Sequence, residues 1–260
     1  MTKITTREIF AAPDTGLPEN FIPNLPDTFS ASGEIIHNAR NQIRVYDVNG
    51  LKVNVKKFCI PPIVNRVLYS WGWRIPKAKK TFLNAQEIVW RGFQTPKPYG
   101  YILERNGWLI NFSYFISEQI PGKKPIRDSG PDPDLIRALA AYTAALHQKG
   151  MMHKDYTPGN ILYSVENGKY DFWMVDINRF RLQNKPIALW LVIQNLRQPF
   201  YEEKDIKSFV LEYAKLRGLS PKIYWPVLLI NRLRNAYDDT KAALKKIPGA
   251  NLLLGKSLKK

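Results

Sequence analysis

The chain has 260 residues, 45% of them hydrophobic and 12% aromatic, and a formal charge of +17. A chain of this length and composition buries a full core, as one large domain or two lobes, and is not a disordered polyelectrolyte. One cysteine, Cys59, and three histidines exclude an intramolecular disulfide and a zinc-type ligand set.

The opening residues, Met1 to Pro18, mix Thr, Arg, Glu and Asp without a basic-then-apolar signal region, and no apolar run is long enough to span a bilayer. A cytoplasmic protein is the expectation. The positive charge draws anionic partners without naming them: nucleic acid, anionic lipid headgroups, or a polyanionic small substrate. With neither a zinc finger nor an aromatic RNP signature, no nucleic-acid partner is expected.

Residues 1 to 30 are rich in Pro, Asn, Asp and Thr and show no sustained apolar period, so they read as a loosely held N-terminal arm. From Glu34 the pattern becomes that of strands: Ile35-Ile36, then Ile43 to Tyr46, then Leu51, Val53 and Val55 after the hairpin pair Asn49-Gly50. The third strand closes on Lys56-Lys57-Phe58. Cys59 to Lys80 is basic and aromatic, with Arg66, Trp71, Trp73, Arg74 and Lys80 close together, a composition suited to a membrane interface. Lys77 to Arg91 has helical spacing, with Phe82, Ala85 and Val89 as its stripe, Glu87 as its one carboxylate and Gly92 as its stop. Two more strands, Tyr99 to Glu104 and Trp108 to Glu118, flank Asn106-Gly107 and complete a five-stranded antiparallel sheet with one main helix.

Asp132-Pro133-Asp134 provides an N-cap, a first-turn proline and a first-turn acid for a helix that Gly150 closes; His147 near its end reads as a packed or capping histidine. The next stretch is His153-Lys154-Asp155-Tyr156-Thr157-Pro158-Gly159-Asn160, followed by a strand pair turning at Asn167-Gly168 and ending on Val175-Asp176. An Asp, an Asn five residues on, and a second Asp at the end of an apolar strand form the pattern of a phosphoryl-transfer site. One carboxylate serves the attacking hydroxyl; the amide and the second carboxylate serve magnesium. Pro186 onward reads as helices with basic faces and a frayed tail, Lys256 to Lys260.

Val53 to Phe58, the stretch GFQTPKP from Gly92 to Pro98, Leu146-His147, HKDYTPGNIL from His153 and VDINRFR from Val175, together with Asn41, carry a resemblance. In this order they resemble the protein-kinase-like superfamily, and more closely the lipopolysaccharide kinase family of bacterial Kdo and core-heptose kinases. The likeness spans roughly residues 30 to 200. It implies an α+β fold of two lobes, an N-lobe with the five-stranded sheet at 31–121 and a mostly helical C-lobe at 122–260. It further implies ATP and Mg2+, with Lys56 (Lys57 as the fallback) on the α- and β-phosphates, paired with Glu87. Asn41 would stand near the phosphates, backbone groups of Glu118 to Ile120 at the adenine, Asn160 and Asp176 on magnesium, and Asp155 at the acceptor hydroxyl. The acceptor implied is a sugar of the lipopolysaccharide inner core, an anionic lipid-linked glycan met peripherally at the cytoplasmic face of the inner membrane. Three features depart from protein kinases: no glycine-rich loop precedes Lys56, the magnesium motif is Asp-Ile-Asn, and no Ala-Pro-Glu element follows. An atypical protein kinase and a non-catalytic, kinase-shaped membrane-binding protein are the competing expectations.

Overall fold

The computed structural model describes residues 5–130 and 132–245, so the expected frayed tail Lys256 to Lys260 lies outside the described residues. In chain order the elements are β1 (Thr5–Ala11), α1 (Phe21–Thr28), β2 (Glu34–Asn38), β3 (Gln42–Val48), β4 (Leu51–Phe58), α2 (Ile63–Ser70), α3 (Lys77–Trp90), β5 (Pro98–Asn106), β6 (Leu109–Glu118), β7 (Lys124–Pro125), α4 (Pro133–Gln148), β8 (Met151–His153), β9 (Ile161–Glu166), β10 (Lys169–Met174), β11 (Phe180–Leu182), α5 (Leu189–Leu196), α6 (Glu203–Leu216) and α7 (Tyr224–Lys245). Packing divides them into two units, Met1–Asp128 with Gly159–Leu182, and Ser129–Pro158 with Gln183–Lys260.

The first unit is built on an antiparallel sheet of order β1-β5-β6-β4-β3-β2. The β3–β4 turn is the Asn49-Gly50 pair, both residues at positive φ (54° and 83°), as a type I′ turn requires. Alternation along β4 turns Val53 and Val55 into a core shared with Phe29, Tyr114 and Ile116. A second apolar cluster, Phe58, Ala78, Phe82, Tyr101 and Leu103, joins α3 to the sheet. The strand pair β9–β10 belongs to this unit and is extended by β7.

The sheet has six strands rather than the expected five, and the supposed arm supplies the sixth. β1 pairs with β5 from Thr5↔Asn106 to Ala11↔Gly100. Arg7 forks onto Asp27 of α1 at 2.8 and 2.5 Å, and Phe10 stacks on Tyr101 with ring centroids 5.6 Å apart. Gly100 makes the close approach possible, because a Cβ there would stand 2.3 Å from the Phe10 carbonyl oxygen. α1 buries Ile22 and Leu25 despite the prolines that masked it. A mostly exposed edge strand has no core face to impose alternation, which is why the segment reads as irregular.

The second unit packs α4, α5, α6 and α7 around Leu139, Leu196, Phe209, Val210 and Val227. Asp132 caps α4, its carboxylate accepting from Leu135 N at 2.7 Å. Gly150 ends it at φ +72°, where a Cβ would fall 2.1 Å from the Gln183 carbonyl oxygen. Behind the cap runs a buried polar chain. Tyr213 O–H donates to His147 Nδ1 (2.9 Å), His147 Nε2–H donates to Asn195 Oδ1 (3.1 Å), and Asn195 Nδ2 donates to the His153 carbonyl (2.8 Å).

Burial lowers the His147 pKa to about 4 from an ordinary 6.5. The native state therefore refuses a proton that the unfolded chain takes up, so this contribution to stability is complete above about pH 6.5 and is lost as pH falls toward 4. The loss should reach roughly 3 kcal/mol below pH 4. Urea midpoints measured through that window should fall steeply for the natural chain and less steeply for His147→Gln; equal slopes would clear His147 of the effect.

Candidate active site

A cleft of about 520 Å³ opens in the first unit, lined by residues of β2, β3, β4, α3 and β6, by the segment before β5, and by the ends of β9 and β10. Sheet periodicity decides which lysine of β4 serves it. Lys57 shares the face of Val53 and Val55, and its ammonium lies 4.0 Å from the centroid of the Phe112 ring and 5.4 Å from that of Phe29. Burial lowers its pKa. Lys56 points the other way, with Asn54, into the cleft. Its Nζ donates to Asp176 Oδ1 at 2.6 Å.

Asp176 stands where β10 ends, in the left-handed region at φ 54° and ψ 42°, which Asp tolerates better than most residues. Several short bonds hold it there. Met174 N donates to Gln94 O (3.1 Å) and Thr95 Oγ1 to Met174 O (2.7 Å), so the GFQTPKP stretch clamps the end of the strand. Asn84 of α3 donates to Ile177 O at 2.7 Å, and Val175 N donates to Asn160 O at 3.0 Å, which sets Asn160 beside the aspartate. Asn178 Nδ2 also reaches Asp176 Oδ1 at 3.3 Å, leaving Oδ2 without a donor among the described residues. One carboxylate and one amide oxygen on adjacent strand ends are hard donors, and they suit Mg2+, which takes one or two protein ligands and completes its shell from phosphates and water.

Of the residues expected at the site, Lys56, Asn41, Glu118, Ile120, Asn160 and Asp176 all line this cleft. Asn41 also fixes the turn it sits on, its Oδ1 accepting from Cys59 N at 3.2 Å. Glu118 N donates to Lys97 O and Gln119 N to Lys52 O, both at 2.9 Å, so of these three amides only Ile120 N–H lacks an acceptor among the described residues.

Glu87 corrects the expectation. It pairs with Arg91 one turn along α3 at 2.7 Å, and not with Lys56. The helix turns about 100° per residue, so Glu87 lies some 240° around from Thr81, the α3 residue that lines the cleft. Where a carboxylate was expected, the first turn of α3 instead brings a cation. Lys77 is half-buried, and its pKa is lowered by burial first and then by Arg40, with Lys56 adding to the effect and Asp176 opposing it. Arg127 also lines the cleft, and it, Lys77 and Arg40 were given no site role from the sequence because a cation on a chain this basic carries no individual signal.

Asp155 belongs to the second unit. Its backbone N–H donates to Nδ1 of the buried His153 at 3.0 Å, and Tyr156 N donates to Gln198 Oε1 at 2.8 Å, so the loop bearing it is fixed at both residues.

Residues 62–198 match the Lipopolysaccharide kinase (Kdo/WaaP) family, just over half of the chain. The chain belongs to that family. It is accordingly a kinase with a protein-kinase-like fold. Among solved structures, this kinase is similar to WaaP in complex with acyl carrier protein, at 14% identity and a TM-score of 0.58, over 88% of this chain and 98% of that one. It is also similar to a Rio2 kinase from Chaetomium thermophilum, solved as an ADP/Mg2+-phosphoaspartate complex, at 17% identity and a TM-score of 0.47, over 75% and 60% of the two chains. No curated protein matches the kinase.

Proposed function

We propose that the kinase transfers the γ-phosphoryl group of ATP to a sugar hydroxyl, of Kdo or heptose, in the inner core of lipopolysaccharide, working at the cytoplasmic face of the inner membrane. The observation that carries the proposal is the pairing of Lys56 and Asp176 in the cleft, with Asn160 beside the aspartate, in a chain of the lipopolysaccharide kinase family.

In this reading Lys56 holds the α- and β-phosphates, and the turn at His37 to Asn41 covers them in place of a glycine-rich loop. The free N–H of Ile120 meets the adenine edge. Asn160 and Asp176 hold Mg2+, whose charge, when bound, would offset the negative charge that builds on the transferring group. Asp155 orients the acceptor hydroxyl and takes its proton as the oxygen bonds to the γ-phosphorus and the bond from that phosphorus to the β-phosphate oxygen breaks, releasing ADP. Arg127, which lines the cleft, adds positive charge for the phosphates.

The test supplies purified protein with γ-labelled ATP, magnesium and either lipid A carrying Kdo alone or the same lipid extended by heptose. Label in both lipids identifies Kdo as the acceptor; label only in the second identifies heptose. Label in protein, or none outside ATP, would overturn the sugar-kinase assignment.

A further inference from the structure

We infer that the face formed by α2 and the three tryptophans Trp71, Trp73 and Trp108 is a docking surface for an anionic phospholipid bilayer. It deepens the proposed function, on which it rests for its purpose, by naming where the protein meets the membrane that carries its acceptor.

α2 has no buried residue, although five of its eight residues are apolar or aromatic. Polar bonds fasten it at one side. Arg66 Nε donates to Ile110 O (2.5 Å), and Ile110 N donates to Ser70 Oγ (2.8 Å). Tyr69 packs on the second apolar cluster and Val67 and Leu68 are partly buried, while Ile63 and Val64 are left outward at 65% and 68% exposure, and the chain continues directly into Trp71, Gly72 and Trp73. Trp71 stacks on Trp108 of the β5–β6 turn, with centroids 5.9 Å apart and planes 17° from parallel, and tilts against Trp73 at 5.3 Å. The three rings thus form one group, yet they remain 60%, 54% and 72% exposed. Ile75 extends the patch. Clustered exposed aromatics of this extent need an occupant.

Charge decides among the occupants. Between Asp47 and Glu87 the chain has no acidic residue, and Arg66 and Arg74 lie within the segment of the patch, with Lys80 just beyond it. A second copy would set these cations against one another. A bilayer instead offers headgroup phosphates to the cations and the apolar boundary to indole rings, which prefer that depth. No helix among the described residues is long and apolar enough to cross a membrane, so the contact is shallow.

The test is co-sedimentation of the full chain with vesicles of phosphatidylethanolamine and phosphatidylglycerol, and with vesicles of phosphatidylcholine alone. The natural chain should prefer the anionic vesicles. Replacing all three rings (Trp71→Ser, Trp73→Ser, Trp108→Ser) should weaken that binding by about 10²-fold. Arg74→Ala should weaken it about fivefold, an effect erased by salt. Transfer of phosphate to a deacylated, soluble acceptor should be unchanged in both, which separates docking from folding and chemistry. Vesicle binding as strong in the triple variant as in the natural chain would overturn the inference. So would a natural chain that ignores vesicles and self-associates through the patch. Vesicle binding lost in the triple variant while no sugar is ever phosphorylated would leave the docking surface standing and remove the acceptor assignment alone.

Discussion

Asp176→Asn should reduce phosphoryl transfer by roughly 10³-fold or more, the scale expected when a charge aimed at the transferring group is removed from a preorganised site. Asparagine is the informative replacement. It has nearly the shape of aspartate and accepts the left-handed backbone at φ 54°, whereas alanine there would add about 1–2 kcal/mol of strain. Folding should therefore survive while the negative charge disappears. Two interactions go with it, the 2.6 Å pair with Lys56 and the proposed hold on magnesium. The readout is heat protection by ATP: strong with magnesium in the natural chain, and in the variant no greater with magnesium than without. Glu87→Ala is the control. Because Glu87 pairs with Arg91 and neither lines the cleft, its loss should leave turnover within about twofold. Magnesium-dependent protection that persists in Asp176→Asn, or a collapse of activity in Glu87→Ala, would assign the roles the other way.

Asp155→Ala should lower turnover by roughly 10²–10⁴-fold, the range of a positioned acid–base group. ATP binding should be untouched, since nothing in the proposed nucleotide site uses this side chain. Bonds to backbone groups hold the loop as well: the Asp155 N–H donates to His153 Nδ1, and the His153 carbonyl accepts from Asn195. A variant that folds, binds ATP and transfers slowly would place Asp155 at the chemistry. Full turnover would take it out of the mechanism.

β3 and β4 were legible because a buried face imposes alternation, as at Val53 and Val55, and because Asn-Gly states its own turn, whereas β2, exposed throughout, was legible from its β-branched pair Ile35-Ile36. β1 was not, because its bonds run to residues about a hundred positions away and it has no buried face of its own. The cleft was legible where spacing along one strand or loop carries the information, as between Asp155, Asn160 and Asp176. It was not legible where the rotation of a helix decides. Glu87 was the one acid of α3, and although its i,i+4 spacing to Arg91 signals that pair, nothing in the sequence reveals that Thr81 and Asn84 would face the site. The choice between Lys56 and Lys57 needed only the parity of β4, but parity has no sign until Phe29, just past the unexpected helix α1, is in place against the core face of β4.

The direct contact of Lys56 with Asp176 bears on the sequence of events at the cleft. Under the proposed roles, Asp176 Oδ1 sits on the ammonium that a phosphate would claim, while Oδ2 stays open to a metal. Bare nucleotide would have to compete with the aspartate, whereas a metal would meet an open oxygen. A metal there would weaken the hold of the carboxylate on Lys56, so in that scheme the metal–nucleotide complex enters ahead of bare nucleotide.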